Sequence, residues 1–126
     1  RGTEEQKIKR KNLKSFHRYL EIENPNRVCF VTGDTLRNED LSVHHVIPWS
    51  YMYSDDLWNL VFLKKSENSI LSNNIPSQKI INKLKLRNQS LLYKMENMNI
   101  KNKVFNELKF SIERDYVTQF WIGCKG

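Results

Sequence analysis

The chain has 126 residues and a formal charge of +7, with 21 Lys and Arg against 14 Asp and Glu. That length suits one domain with a single modest core. No apolar run approaches a bilayer span and no signal peptide is visible, so no membrane partner and a cytoplasmic location are expected.

The chain opens Arg1-Gly2-Thr3 without an initiator Met, and reads as a domain excised or processed from a longer protein. Thr3-Glu4-Glu5-Gln6 has the form of a capping box. Ile8, Leu13, Phe16, Tyr19 and Leu20 follow at helical spacing, so a helix is predicted over 4–22, ended by Asn24-Pro25-Asn26. His17 falls on its surface. Arg27 to Thr32 is a short β-type run, and Thr32-Gly33-Asp34 a turn. Leu41 to Ile47 alternates as a strand does, and Pro48 closes it. Residues 48–58 carry Trp49, Tyr51, Tyr53 and Trp58 among polar residues. So many aromatics require a structured loop with at least two of them packed in the core. Asp55 and Asp56 read there as loop caps, with metal ligation the alternative.

Leu60 to Leu63 is a second strand, and Lys64 to Ser72 fits a short helix broken by Asn73-Asn74. Ser77 caps a longer helix whose apolar stripe is Ile80, Leu84, Leu91 and Met95, with Arg87-Asn88-Gln89-Ser90 as a point of interruption. A last helix over 101–121 places Phe105, Leu108, Ile112, Tyr116 and Phe120 on one face. The class is α+β: a ββα unit at about 28–77 between helical flanks at 4–22 and 77–121, all in one domain over 1–126. Cys29 and Cys124 are too few for a disulfide framework or a four-cysteine zinc site, and two thiols in a reducing compartment are expected.

The positive charge is clustered. Residues 1–18 and 76–109 are each rich in Lys and Arg and flank the ββα segment. Such patches bind polyanions by releasing condensed counterions, and they point to nucleic acid. Within the segment, His44 and His45 are adjacent on a strand, so their side chains leave from opposite faces and suit different tasks. One can hold a metal while the other takes a proton. Asn59 lies fourteen residues beyond His45, and Asn68 nine residues further. A strand, loop, strand and helix can bring Asn68 back beside His44. A neutral imidazole near a water and a cation at a phosphate are what phosphodiester hydrolysis needs.

Four groups of residues, His44-His45-Val46-Ile47-Pro48, Trp58-Asn59-Leu60, Asn68 and Asn74-Ile75-Pro76-Ser77, resemble the HNH endonuclease superfamily, also called ββα-metal or His-Me finger nucleases. The spacing is similar to that of the HNH domain of RNA-guided CRISPR nucleases, and the His pair to that of the nuclease colicins. The resemblance is strong over residues 41–77 and weaker back to about 28, where Cys29-Phe30-Val31-Thr32-Gly33 looks like the upstream strand and turn.

It implies a ββα-metal core and a divalent-metal-dependent DNA endonuclease. His45 would be the general base and Asn59 the middle Asn that fixes the loop and orients it. His44 and Asn68 would be the metal ligands, and Ser72 is not expected to ligate. Lys64, Lys65, Lys79 and Lys83 are the expected phosphate contacts. Two departures stand out. Cys29 has Thr32, not a second Cys, three residues on, so the structural zinc of many relatives is not expected. His44 replaces the Asp more usual before the base, which leaves both ligands neutral. The expected ion is therefore Mg²⁺ or Mn²⁺, with Ni²⁺ or Zn²⁺ also suited to imidazole. A homodimer or a larger parent protein is expected for double-strand cleavage. The alternatives are a DNA-binding module of the same fold without catalysis and a toxin-like nuclease acting on any nucleic acid. Restriction, phage defence and other settings are all compatible with the sequence.

Overall fold

A computed structural model of the protein describes residues 13–126. The capping box at Thr3–Gln6 and the start of the first predicted helix lie outside these residues. What is described of that helix is a 3₁₀ turn, Lys14–Phe16, running into α1, His17–Glu23. His17, expected on the helix surface, is half-buried. Its ring meets Phe62 edge-on, with centroids 5.4 Å apart. The helix stops at Asn24, whose side chain accepts from Val28 N and donates to Val28 O, closing the turn that follows.

The β-type run at 27–32 does not become a strand. It forms one isolated bridge, Val28 with Thr35, and one bond from Phe30 N to the Phe62 carbonyl. The reason is the tight turn inside it. Gly33 adopts φ 81° and donates to the Cys29 carbonyl, so the chain doubles back before a ladder can grow. Cys29 is buried with Leu36 and Leu63, and its Sγ accepts from Lys64 N at 3.4 Å. Both cysteines are free thiols.

The sheet is a hairpin of β1, Leu41–His45, and β2, Leu60–Lys64. They pair antiparallel with Leu41 opposite Lys64, Val43 opposite Phe62 and His45 opposite Leu60. Leu60 to Leu63 are all buried, because helices and the Cys29 turn cover the strand on both sides. The loop between the strands is structured, as its aromatics require. It holds a helical turn, α2, Trp49–Met52, and a 3₁₀ turn, Leu57–Asn59. Trp49 and Trp58 are buried, whereas Tyr51 and Tyr53 are exposed. β2 leads directly into α3, Lys65–Leu71.

Ser77 caps α4, Gln78–Asn97, by accepting from Ile80 N. The helix runs unbroken through Arg87–Ser90, against the expected interruption, because two of these polar side chains have partners inside the protein. Arg87 donates to the Leu57 carbonyl at 3.1 Å and Asn88 to the Trp58 carbonyl at 3.0 Å. Burial pushes the Arg87 guanidinium down to about 10, against the opposing pull of Glu23, so it stays charged at neutral pH. Ile81, Leu84, Leu91 and Met95 of α4 are completely buried at the centre of the core.

The helix predicted over 101–121 is two: α5, Lys103–Glu113, and α6, Tyr116–Cys124. Asp115 stands between them in the left-handed conformation, φ 50° and ψ 51°, which Asp tolerates better than most residues. The break lets Tyr116 and Phe120 pack on Trp58, and lets Trp121 Nε1 donate to the Pro76 carbonyl at 2.8 Å. The C-terminal helices thus brace both the strand–strand loop and the turn after α3. No described helix is long and apolar enough to cross a membrane.

Candidate active site

The last two residues of β1, His44 and His45, are both buried, and they turn to different partners. His44 faces α3, where its Nδ1 lies 2.7 Å from Asn68 Oδ1. The hydroxyl of Ser42 fixes which amide atom makes that contact. It donates to the Leu63 carbonyl at 2.7 Å, so it can only accept from Asn68 Nδ2, 3.1 Å away. Asn68 Oδ1 is thereby left for His44. Burial lowers the His44 pKa further than the bond from Asn68 raises it, and the nearby His45 adds to the lowering, so His44 is neutral at physiological pH. Ser42 escaped the sequence reading. Its signal was strand parity: residues 42 and 44 share one face of β1.

His45 faces the loop. Its Nε2 lies 2.8 Å from Asp55 Oδ1, with side chains only 4% and 19% exposed. Asp55 is therefore not the loop cap that was expected. Asp56 precedes the 3₁₀ turn without capping it through its side chain: its carboxylate accepts from Ser54 Oγ at 2.6 Å and its carbonyl from Asn59 N.

Asn59, expected to fix the loop and orient the base, is 0% exposed, so its amide is directed into the protein and not into the cleft. Its Oδ1 accepts from Ile47 N at 2.8 Å and its Nδ2 donates to the Ile47 carbonyl at 3.0 Å, while its own carbonyl accepts from Val46 N. These bonds close the loop of residues 48–58 at its base, immediately after the His pair.

His44, His45 and Asn68 line one polar cleft of about 300 Å³, together with Ser50, Ser72 and Asn73. Ser72 makes no bond to the His44–Asn68 pair. Among the described residues no group of three or more His, Cys, Asp or Glu side chains is placed to hold a metal. The donor set is smaller and neutral: one imidazole and one amide oxygen. Nδ1–H of His44 donates to Asn68 Oδ1, and a shared ion would take the place of that hydrogen, with the imidazole N–H moving to Nε2. The site fits a divalent ion as two donors of a shell that substrate oxygens and water complete.

The four expected phosphate contacts differ. Lys65, the first residue of α3, and Lys79, in the first turn of α4, are exposed, and Lys64 is half-buried. Lys83 is engaged within the fold: its ammonium donates to the Phe30 carbonyl and lies 4.7 Å from the centre of the Phe30 ring.

A hairpin and a following helix thus present a His pair and an Asn to one cleft, in a ββα arrangement. Residues 29–77 match the family model described as HNH endonuclease, and the match supports HNH superfamily membership for this segment. The match begins at Cys29 and ends at Ser77, so it includes the Cys29 turn as well as the hairpin and α3. Comparison with curated proteins gives no match, and neither does comparison with solved structures.

Proposed function

We propose that the chain is a divalent-metal-dependent DNA endonuclease domain in which His45 takes the proton of the attacking water. The observation that carries this reading is the convergence of His44, His45 and Asn68 on one cleft, with His44 and Asn68 in direct contact. His44 and Asn68 would hold the ion. When bound, it supplies charge stabilisation at the scissile phosphate and the leaving 3′ oxygen. Asn59 holds the loop so that His45 keeps its place, and Lys64, Lys65 and Lys79 hold flanking phosphates. Lys83 reaches a phosphate only if it leaves Phe30.

Water gives its proton to His45, its oxygen bonds phosphorus, and the P–O3′ bond breaks with its electron pair going to the 3′ oxygen. That oxygen takes a proton from solvent, leaving 5′-phosphate and 3′-hydroxyl ends. One such site cuts one strand, so a double-strand break needs a second copy or another nuclease in a larger parent protein.

The test is a plasmid nicking assay across Mg²⁺, Mn²⁺, Ni²⁺, Zn²⁺ and EDTA, with His45→Ala alongside. Metal-dependent nicking that this substitution abolishes, at unchanged DNA affinity, is the expected result. Salt-sensitive DNA binding with no cleavage in any metal would replace this reading by a binding module.

A further inference from the structure

We propose that Asp55 is the positioning residue of His45: its carboxylate holds the imidazole as the Nε2–H tautomer and so makes Nδ1 the atom that takes the proton from water. This rests on the reading of His45 as the base.

The assignment follows from donor chemistry. An ionised carboxylate only accepts, so at 2.8 Å the hydrogen between Asp55 Oδ1 and His45 Nε2 belongs to the imidazole. A neutral imidazole has one N–H, which leaves Nδ1 as its lone-pair nitrogen. When Nδ1 takes a proton, the ring becomes a cation already in contact with a carboxylate, in a place largely withdrawn from solvent. A carboxylate behind an imidazole fixes both ring orientation and tautomer by this means in other hydrolytic sites.

The loop carrying Asp55 is held at its base and on both sides of Asp55 along the chain. At its base, Asn59 ties the chain to Ile47 and Val46. On one flank, Tyr53 takes the left-handed conformation, φ 53°, and its N–H closes α2 by donating to the Trp49 carbonyl. On the other, the carboxylate of Asp56 is committed to Ser54. Asp56 therefore does not stand in for Asp55, and Asp55 is the acid the loop turns to His45.

The contact is measured by two-bond ¹H–¹⁵N correlation of the imidazole nitrogens in metal-free protein at neutral pH, with His45 assigned from the His45→Ala spectrum. The expected result is one fixed tautomer with the proton on Nε2, and collapse of the two nitrogen shifts toward each other in Asp55→Ala. Asp55→Ala should also slow single-turnover nicking about 10- to 100-fold, with DNA affinity in EDTA unchanged. Asp55→Asn, which keeps the size, covers the case in which the alanine variant does not fold. It should also move the nitrogen shifts, because a carboxamide presents a donor as readily as an acceptor. A proton found on Nδ1 in the wild type, or shifts unmoved in both variants, overturns Asp55 alone. Full nicking by His45→Ala overturns the parent reading and this one with it.

Discussion

Nδ1 of His44 and Oδ1 of Asn68 lie 2.7 Å apart, and the resemblance to HNH nucleases implies an Asp more often than a His at the first of these positions. An imidazole there changes the donor set without emptying it. It adds no negative charge, and it shifts preference from Mg²⁺ toward ions that favour nitrogen. Nicking should be stronger with Mn²⁺ than with Mg²⁺. His44→Asp should lower the Mg²⁺ concentration for half-maximal nicking by about tenfold, as an added ligand charge does elsewhere. A metal titration of both proteins checks this. Wild type active with Mg²⁺ alone, or an inactive His44→Asp, would rule the ligand role out.

Removing the Asn59 amide leaves both the N–H and the carbonyl of the fully buried Ile47 without their partner. Asn59→Ala should therefore cost about 2–6 kcal/mol of stability, from about 1–3 kcal/mol for each stranded group. Asn59→Asp should cost more, since it buries a charge and aims an acceptor at the Ile47 carbonyl. Urea unfolding should show the midpoint falling with an unchanged slope.

The two lysines of α4 should separate by measurement. Lys79 is exposed, so Lys79→Ala should reduce the salt dependence of DNA binding by roughly 0.9 in the log–log slope and leave Tm alone. Lys83 is bonded to the Phe30 carbonyl and lies over its ring, so Lys83→Ala should destabilise the fold by about 1 kcal/mol. Binding isotherms at several salt concentrations and thermal melts of both variants give the comparison. Equal melts would mean that the Phe30 contact contributes nothing.

Asp115 ties stability to pH. Partial burial pushes its carboxyl up, but the bonds from Thr118 and the Lys85 ammonium together outweigh this and hold it below the ordinary carboxylate value. A folded value below the unfolded one means the contribution is full above about pH 4 and is lost as pH falls through the folded value. Asp115→Asn keeps the left-handed conformation and a capping oxygen but not the charge. At pH 7 it should be a few tenths of a kcal/mol less stable, the scale of an exposed pair, and the gap should close on acidification below about pH 4. Paired urea titrations at both pH values test it, and a gap that widens in acid would show the sign to be wrong.

The hairpin, α3 and α4 were legible because local signals and packing agree there: β-branched and apolar runs, Pro48, and Ser77 before a regular stripe. The misses have physical causes. Arg87 and Asn88 look like a break in α4 because their partners, the Leu57 and Trp58 carbonyls, lie thirty residues earlier in the chain. Asp115 splits one apolar face into two helices by its backbone conformation alone, which periodicity does not register. At the site, His44, His45 and Asn68 were legible through spacing. Asp55 was not, since an acid in a polar loop resembles any loop acid until the fold turns it to His45.

A carboxamide is a peptide group in miniature, and Asn59 uses it as one. With one N–H and one C=O it answers Ile47 as a facing residue of a neighbouring strand would, one step beyond the last backbone bond, from Val46 N to the Asn59 carbonyl. The hairpin thus gains a further rung made from a side chain, and that rung exists in one alignment of the strands only. Sliding β1 along β2 by a single residue would exchange the faces of His44 and His45, and it would also carry Ile47 away from Asn59. The residue that shuts the loop is in this way a register lock for the histidine pair.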